Sequence, residues 1–321
     1  MVEAQAEERR IPMDDGTQLF VRRWRPVEDG KPRAVLHIVH GMAEHGLRYG
    51  RLAQKLRGAG IEVWAADQRG HGKTADLSVN DPGKGGLLGH CADRDGCTRV
   101  TADIEALNRI IKKEWPGVPL FLLGHSWGSF IAQNYLENFG HIDGCILSGS
   151  RGPDGLKVSL GAPFMALLAL LRGSRNASLL SRSMADGSYN KPFKPNRTAS
   201  DWLSRDEAEV DAFIADPFSG TLCSAGFYRD MIALLNRIHR PQFFEGIQRN
   251  LPVYIFSGSE DPVGEMGASP TALAEAYRAL GMKDLEFVLY PGARHEALNE
   301  TNREEVMENL LAWIVRHIPP D

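Results

Sequence analysis

Short apolar runs punctuate this chain at regular intervals. They are AVLHIVH (Ala34 to His40), IEVWAAD (Ile61 to Asp67), LFLLGHS (Leu120 to Ser126), DGCILSGS (Asp143 to Ser150), VYIFSGSEDP (Val253 to Pro262) and LEFVLYPGARH (Leu285 to His295). Their apolar residues are consecutive rather than alternating, the pattern of strands buried on both faces. Helical spacing fills the gaps. Leu52 and Leu56 repeat at four residues before a glycine stop at Gly58 or Gly60, and Val100, Ile104, Leu107, Ile111 and Trp115 recur at three- and four-residue steps. Near the C-terminus, Thr301 and Glu304 have capping-box spacing ahead of Val306, Leu310, Trp313 and Ile314. Two strands around an Asp-Gly turn in MDDGTQLFVRRW predict an N-terminal hairpin. Strands alternating with helices predict an α/β fold with a mostly parallel central sheet flanked by helices.

The alternation stops between about Gly152 and Asn250, where no strong strand pattern occurs. LSRDEAEVDAFIADP reads instead as a helix with a capping box from Ser204 to Glu207 and a stop before Pro217, and FYRDMIALLNRIHRPQ reads as another. VSLGAPFMALLALL, Val158 to Leu171, is the greasiest stretch, but it falls short of the roughly 18 apolar residues of a membrane span. It suits a helix that covers a pocket or touches a membrane surface transiently. The chain therefore divides into a core of residues 1–152 and 246–321 and an inserted helical cap of residues 153–245. Such an insert lies over the carboxyl ends of the strands, where open α/β sheets bind ligands.

Composition narrows the function more than the fold. With 37 basic and 41 acidic residues and no basic block, the chain does not suit nucleic acid. Four cysteines in 321 residues make no disulfide framework and suit a reducing setting. The first residues, MVEAQAEERR, lack the apolar region of a secretory signal, so a cytoplasmic location is expected. His90, Cys91 and Cys97 fit no standard zinc spacing.

The chemistry concentrates in PLFLLGHSWGSF, where Ser126 stands between Gly124 and Gly128 with a strand before it and a helix after it. A sharp strand-to-helix turn lifts such a serine above the sheet edge, and flanking glycines remove side chains that would clash across the turn. A serine hydroxyl is a poor nucleophile until a base takes its proton, and the base needs an orienting carboxylate. On this arrangement the order is Ser, Asp or Glu, then His. Asp261 follows one strand and His295 follows the next. Other histidines compete poorly: His37 lies in a strand, His141 precedes one, His239 and His317 fall on helices, and His40, His45, His71, His90 and His125 precede the serine. For the acid, Glu260 and Asp154 rival Asp261, which Pro262 would hold in a tight turn. The oxyanion would be received by the backbone N–H groups of Trp127, just after the nucleophile, and of Met42, in the turn after the strand ending at HG.

HGMAEHGLRY (His40 to Tyr49), DQRGHGKT (Asp67 to Thr74), GHSWGS (Gly124 to Ser129), SGSEDPVG (Ser257 to Gly264) and PGARHEALNE (Pro291 to Glu300) together resemble one known group. It is the monoacylglycerol lipase and lysophospholipase branch of the α/β-hydrolase superfamily, close to the S33 serine aminopeptidases. The resemblance implies a serine ester hydrolase acting on a small single-chain lipid ester, with no metal or organic cofactor. It also implies that Glu44, Arg48 and His125 lie near the polar leaving-group end; the alternative for Glu44 is a structural one, a bridge to Arg48 or to the backbone that holds the oxyanion loop. Trp127 stands where the branch usually has Met, which is expected to crowd the alcohol side. RGHG, with Arg69 and His71, reads as a loop scaffold, and the Leu-rich cap stretch as an acyl-channel wall. A general carboxylesterase or an S33-type aminopeptidase is the alternative with the same chemistry; the latter needs acidic groups, which SRDEAEVDAF could supply. A non-catalytic binder would be expected to have lost a triad member. Haloalkane dehalogenation is disfavoured because the elbow carries Ser126 rather than a carboxylate.

Overall fold

A computed structural model describes residues 6–28, 30–153, 156–185 and 187–320. In chain order, β1 (Glu7–Pro12), β2 (Gln18–Trp24) and β3 (Ala34–Val39) lead to α1 (Gly50–Gly58) and β4 (Ile61–Asp67). Next come α2 (Gly96–Glu114), β5 (Leu120–His125), α3 (Trp127–Asn138) and β6 (Gly144–Ser148). After β6 the chain runs through α4 (Leu156–Arg172), α5 (Leu179–Ala185), α6 (Glu207–Ala215), α7 (Ala225–Ile238) and α8 (Pro241–Phe244). It then returns to the sheet as β7 (Val253–Gly258), α9 (Ala268–Ala279), β8 (Leu285–Tyr290) and α10 (Arg303–Arg316).

The eight strands form one sheet in the order β1-β2-β4-β3-β5-β6-β7-β8. The β1–β2 hairpin is antiparallel and joins β4 antiparallel, whereas β4, β3, β5, β6, β7 and β8 pair in parallel. Because successive side chains point to opposite faces, one strand feeds two cores. Leu120 and Leu122 of β5 join Val100, Ile104, Leu107 and Ile131 on the face covered by α2 and α3. Phe121 and Leu123 join Leu52, Leu56, Val306 and Trp313 on the face covered by α1 and α10. Burial on both faces explains why these strands read as unbroken apolar runs. All five parallel junctions point their carboxyl ends to one edge, and every loop that carries candidate chemistry leaves from that edge.

The helix starts differ from the two expected capping boxes. α10 begins at Arg303 with Asn302 in the cap position and no side-chain cap bond. Thr301 lies outside it, its N–H donating to the buried Glu300 carboxylate at 2.9 Å. α6 is capped by Asp206, which accepts from the Ala208 N–H. The Ser204 hydroxyl donates instead to the Asn299 carbonyl at 2.9 Å, which stitches the β6–β7 segment to the loop after β8. Thr301 is thus turned to its neighbour Glu300, whereas a long-range partner has claimed the Ser204 group that local spacing had assigned to a helix. His239 and His317 likewise sit one residue past α7 and α10, not within them.

Candidate active site

β5 delivers the chain to the sheet edge, and Ser126 turns it at φ 51°, ψ −123° into α3. That left-handed φ is uncommon for a residue with a side chain, and such backbone strain typically costs about 1–3 kcal/mol. Close packing imposes it. A Cβ on Gly124 would stand 2.4 Å from the Gly128 carbonyl, and one on Gly128 would stand 2.1 Å from the Val39 carbonyl. The turn is pinned by the Ser126 N–H, which donates to the Ser148 carbonyl of β6 at 2.9 Å.

The turn after β7 brings Asp261 beneath the loop after β8, which carries His295. His295 Nδ1 lies 3.0 Å from both Asp261 carboxylate oxygens, and both residues are buried. Asp261 also accepts from the Val263 N–H at 2.8 Å and from the Ser257 hydroxyl at 3.1 Å. Burial alone would raise the Asp261 carboxyl, but the charge and hydrogen bond of His295 and these donors hold it below its usual range. Burial would conversely lower the His295 imidazole, and the Asp261 carboxylate outweighs it and raises it. With Nδ1 engaged, Nε2 is the nitrogen left for proton transfer. Ser126 and His295 line one cleft, whose walls include Gly41, Met42, Glu44, His125, Trp202, Leu203, Phe213 and Tyr228. Glu260 is exposed, and Asp154 lies outside the described residues.

The turn after β3 closes the cleft from the other side. A Cβ on Gly41 would come within 3.2 Å of the Ser126 Cβ, so Gly41 and Met42 lie against the serine. Neither the Met42 N–H nor the Trp127 N–H has an acceptor among the described residues. The Trp127 ring does not crowd the cleft. It is buried on the far side of the elbow, stacked on His71 with centroids 5.3 Å apart and packed against Phe227. The expectation for the alcohol side therefore fails: the turn that exposes the serine sends the next side chain into the core.

Glu44 and His125 reach the cleft, whereas Arg48 lies behind Glu44 in an adjoining hollow with Tyr49, Leu52 and Leu298. Glu44 accepts from the Gly41 N–H, from the Tyr49 hydroxyl at 2.9 Å and from Arg48 at 2.7 Å. Arg48 also forks onto Glu296 at 2.6 and 2.7 Å. The His125 imidazole, 3.1 Å from the Ser148 hydroxyl, packs on His295 with ring centroids 4.9 Å apart. Burial, reinforced by the charge of a protonated His295, pushes it down to about 4, so it is neutral at pH 7.

Two contributors carried no local signal. Glu296 is adjacent to His295, but its partner Arg48 stands 248 residues away in sequence. Trp202, on the segment between α5 and α6, packs its ring 5.2 Å from that of His295. The apolar cleft wall, among the described residues, comes from Met42, Trp202, Leu203, Phe213 and Tyr228 rather than from α4. RGHG is the expected scaffold: Arg69 bonds Asp103 and Asp15. His90 bonds Ser224 and Asp93, and the Cys91 thiol donates to the Arg69 carbonyl.

Residues 30–302 match the family described as "Serine aminopeptidase, S33". The chain is 28% identical to the monoacylglycerol lipase of Mycolicibacterium smegmatis, over 99% of this chain and 100% of that one. It is 31% identical to the monoglyceride lipase of Homo sapiens, over 74% of this chain and 66% of that one. Its structure superposes with a TM-score of 0.88 on a highly thermostable carboxyl esterase from Bacillus coagulans in complex with glycerol, at 27% identity and over 98% of this chain and 100% of that one.

Proposed function

The chain belongs to the serine aminopeptidase S33 family, and from that premise we propose that it cleaves single-chain lipid esters, monoacylglycerols or lysophospholipids, through Ser126, His295 and Asp261. It is a serine hydrolase of the α/β-hydrolase superfamily and a carboxylic ester hydrolase. The observation that carries the proposal is the His295–Asp261 pair, buried and doubly bonded, opening onto the same cleft as the serine at the strained elbow.

In this reading His295 Nε2 removes the Ser126 proton as Oγ attacks the acyl carbonyl. The oxyanion forms against the N–H groups of Met42 and Trp127, each worth about 2.7–4 kcal/mol in comparable sites. The imidazolium then protonates the leaving alkoxide, and the ester bond breaks to leave an acyl-enzyme on Ser126. Water, activated by the same imidazole, releases the acid. Asp261 holds the productive tautomer and balances the transient charge.

An ester is favoured over a peptide with a free amine by the state of the carboxylates. Glu44 and Glu296 are bonded to Arg48. The acidic residues of α6 and its cap are engaged by cations outside the cleft: Asp206 pairs with Arg303, Glu209 with Arg51 and Asp211 with Arg197. Residues 153–245 act as the cap of this reading and set acyl-chain preference through Leu203, Phe213 and Tyr228. The 158–171 stretch touches the membrane surface transiently, using Leu170 and Leu171, which are 79% and 74% exposed. No helix among the described residues is long and apolar enough to cross a membrane. Four buried cysteines, none of them in a disulfide among the described residues, suit a cytoplasmic setting.

Ser126→Ala tests the reading. Turnover of monoacylglycerols should fall by about a million-fold, as in other serine triads, with the thermal midpoint unchanged or raised. A fluorophosphonate should label the native chain and not the variant. Residual hydrolysis within tenfold of native would refute the nucleophile, and faster cleavage of aminoacyl anilides than of monoacylglycerols would replace the substrate class.

A further inference from the structure

We infer that Arg48 is a positioning residue that locks the oxyanion turn to the loop bearing the base, rather than a ligand for the leaving alcohol. The inference rests on the catalytic reading above and adds to it a part of the machinery that no substrate contact explains.

A continuous chain of bonds connects the two halves of the site. At one end the Gly41 N–H, next to Met42, donates to Glu44 Oε1, which also takes the Tyr49 hydroxyl. Glu44 Oε2 accepts from Arg48 Nη1 at 2.7 Å. The same Nη1 reaches Glu296 Oε1 at 2.6 Å, and Nη2 reaches Glu296 Oε2 at 2.7 Å. Glu296 directly follows His295, so one planar guanidinium spans the turn after β3 and the loop after β8. From above, the Phe213 ring of α6 lies over the guanidinium at 4.9 Å.

Geometry leaves Arg48 little else to do. Its side chain is 11% exposed, both of its terminal nitrogens are occupied by carboxylates, and it lines the hollow beside the cleft rather than the cleft itself. The charge arrangement calls for it in that place. Two buried carboxylates on separate loops would repel each other, and a shared cation turns that repulsion into a tie. A guanidinium fork matches both partners at once, which the point charge of a lysine does not. Misplacing reacting groups by about 1 Å is enough to lower a rate by about 100-fold, so a tie between nucleophile-side donors and base-side loop acts on the chemical step.

The test compares two esters, one with a glyceryl leaving group and one without: a monoacylglycerol and 4-nitrophenyl butyrate. For Arg48→Met, kcat should fall by about 100-fold on both, with KM within about threefold of native. Arg48→Lys, which can reach one carboxylate at a time, should recover about tenfold of that loss. A loss confined to the monoacylglycerol and expressed in KM would overturn the inference and return Arg48 to alcohol binding. Unchanged kcat on both esters would overturn it as well. Should Arg48→Met fail to fold, Glu296→Gln, which keeps the shape and removes one charge, should lower kcat on both esters by about tenfold; no effect on kcat counts against the tie. The rate of Ser126 labelling by a fluorophosphonate separates this result from the substrate proposal. If native enzyme is labelled yet cleaves neither ester, the substrate class is wrong and slower labelling of Arg48→Met still supports the tie. If native Ser126 is not labelled, both readings fall.

Discussion

The loops at the carboxyl edge of the sheet and the segment between β6 and β7 meet at one cleft but are built on different terms. The edge loops are buried and bonded: Asp261, His295 and Glu296 are 0%, 2% and 5% exposed. The intervening segment turns Leu167, Leu170, Leu171 and Leu179 to solvent at 51–79%. It touches the edge loops at a few defined seams. His45 bonds Asp216, the Gly220 N–H donates to the Ala43 carbonyl, and the Glu296 N–H donates to the Leu203 carbonyl at 2.8 Å. Ser126, Asp261 and His295 each follow a strand and are fixed by its register, while the apolar cleft wall is held by bonds between loops, among them the Ser204 hydroxyl to the Asn299 carbonyl and Arg205 to Glu300. On the proposed function, chemistry belongs to the edge loops and specificity to the intervening segment, and substitutions on the two sides should behave differently.

The largest effect that sharpens the contrast belongs to the edge. Asp261→Asn preserves the backbone but presents an amide to His295 Nδ1, which favours the wrong tautomer. The kcat on any ester should drop by about ten-thousand-fold, with a far smaller change in KM. A fall of less than tenfold under saturating substrate would place the orienting acid elsewhere.

A smaller effect appears in the pH profile. In the proposed mechanism His295 acts as a base only when neutral, and Asp261 raises its pKa above the ordinary 6.5. Activity should therefore rise with pH through a limb centred above 6.5, being lost below it as the imidazole takes a proton. Glu296, Glu44 and Asp261 face the ring with negative charge, Arg48 opposes them, and neutral His125 adds no second limb above about 4. Measured as kcat/KM between pH 5 and 9, a limb below 6.5 would contradict the pairing. In Asp261→Asn the residual activity should show the limb moved to lower pH.

What the sequence disclosed divides along the same line. The apolar runs around Leu120–Leu123 and Val253–Phe256 were legible because burial on both faces demands consecutive apolar residues. That Ser126, Asp261 and His295 meet at one sheet edge was legible because each follows such a run, and the glycines at 124 and 128 mark where backbones touch. Contacts between distant segments were not. The sequence of α6 offers Ser204 as a cap, but the Asn299 carbonyl takes its hydroxyl and Asp206 caps instead. A Glu44–Arg48 bridge was one of two readings beside a polar pocket, but the further tie to Glu296 was not legible, because Glu296 lies 248 residues on. Trp127 looked like a cleft residue because periodicity does not reveal how a positive φ at Ser126 redirects the following side chain. Trp202 carried no pattern at all; only the fold brings it to His295.

The smallest expected effect lies on the outer face of α4. Met165, Leu168 and Ala169 are buried beneath the helix, whereas Phe164, Leu167, Leu170 and Leu171 point away. Replacing the two most exposed, Leu170→Ser with Leu171→Ser, removes no described core contact, so stability should change by less than about 0.5 kcal/mol. Cleavage of a dissolved nitrophenyl ester should be unaltered, because the Ser126–His295 cleft draws none of its described wall from this helix. Cleavage of a monoacylglycerol presented in vesicles is another matter. Each leucine that enters an apolar phase contributes up to about 1.5–3 kcal/mol, and only part of that is realised at an interface, so a loss of roughly three- to tenfold is expected. Equal rates of the variant and native enzyme on vesicles and in solution would detach the exposed leucines from membrane contact and leave the edge chemistry untouched. A parallel loss on both would instead mean that the outer face of α4 supports the cleft, and the separation of chemistry from specificity would not hold.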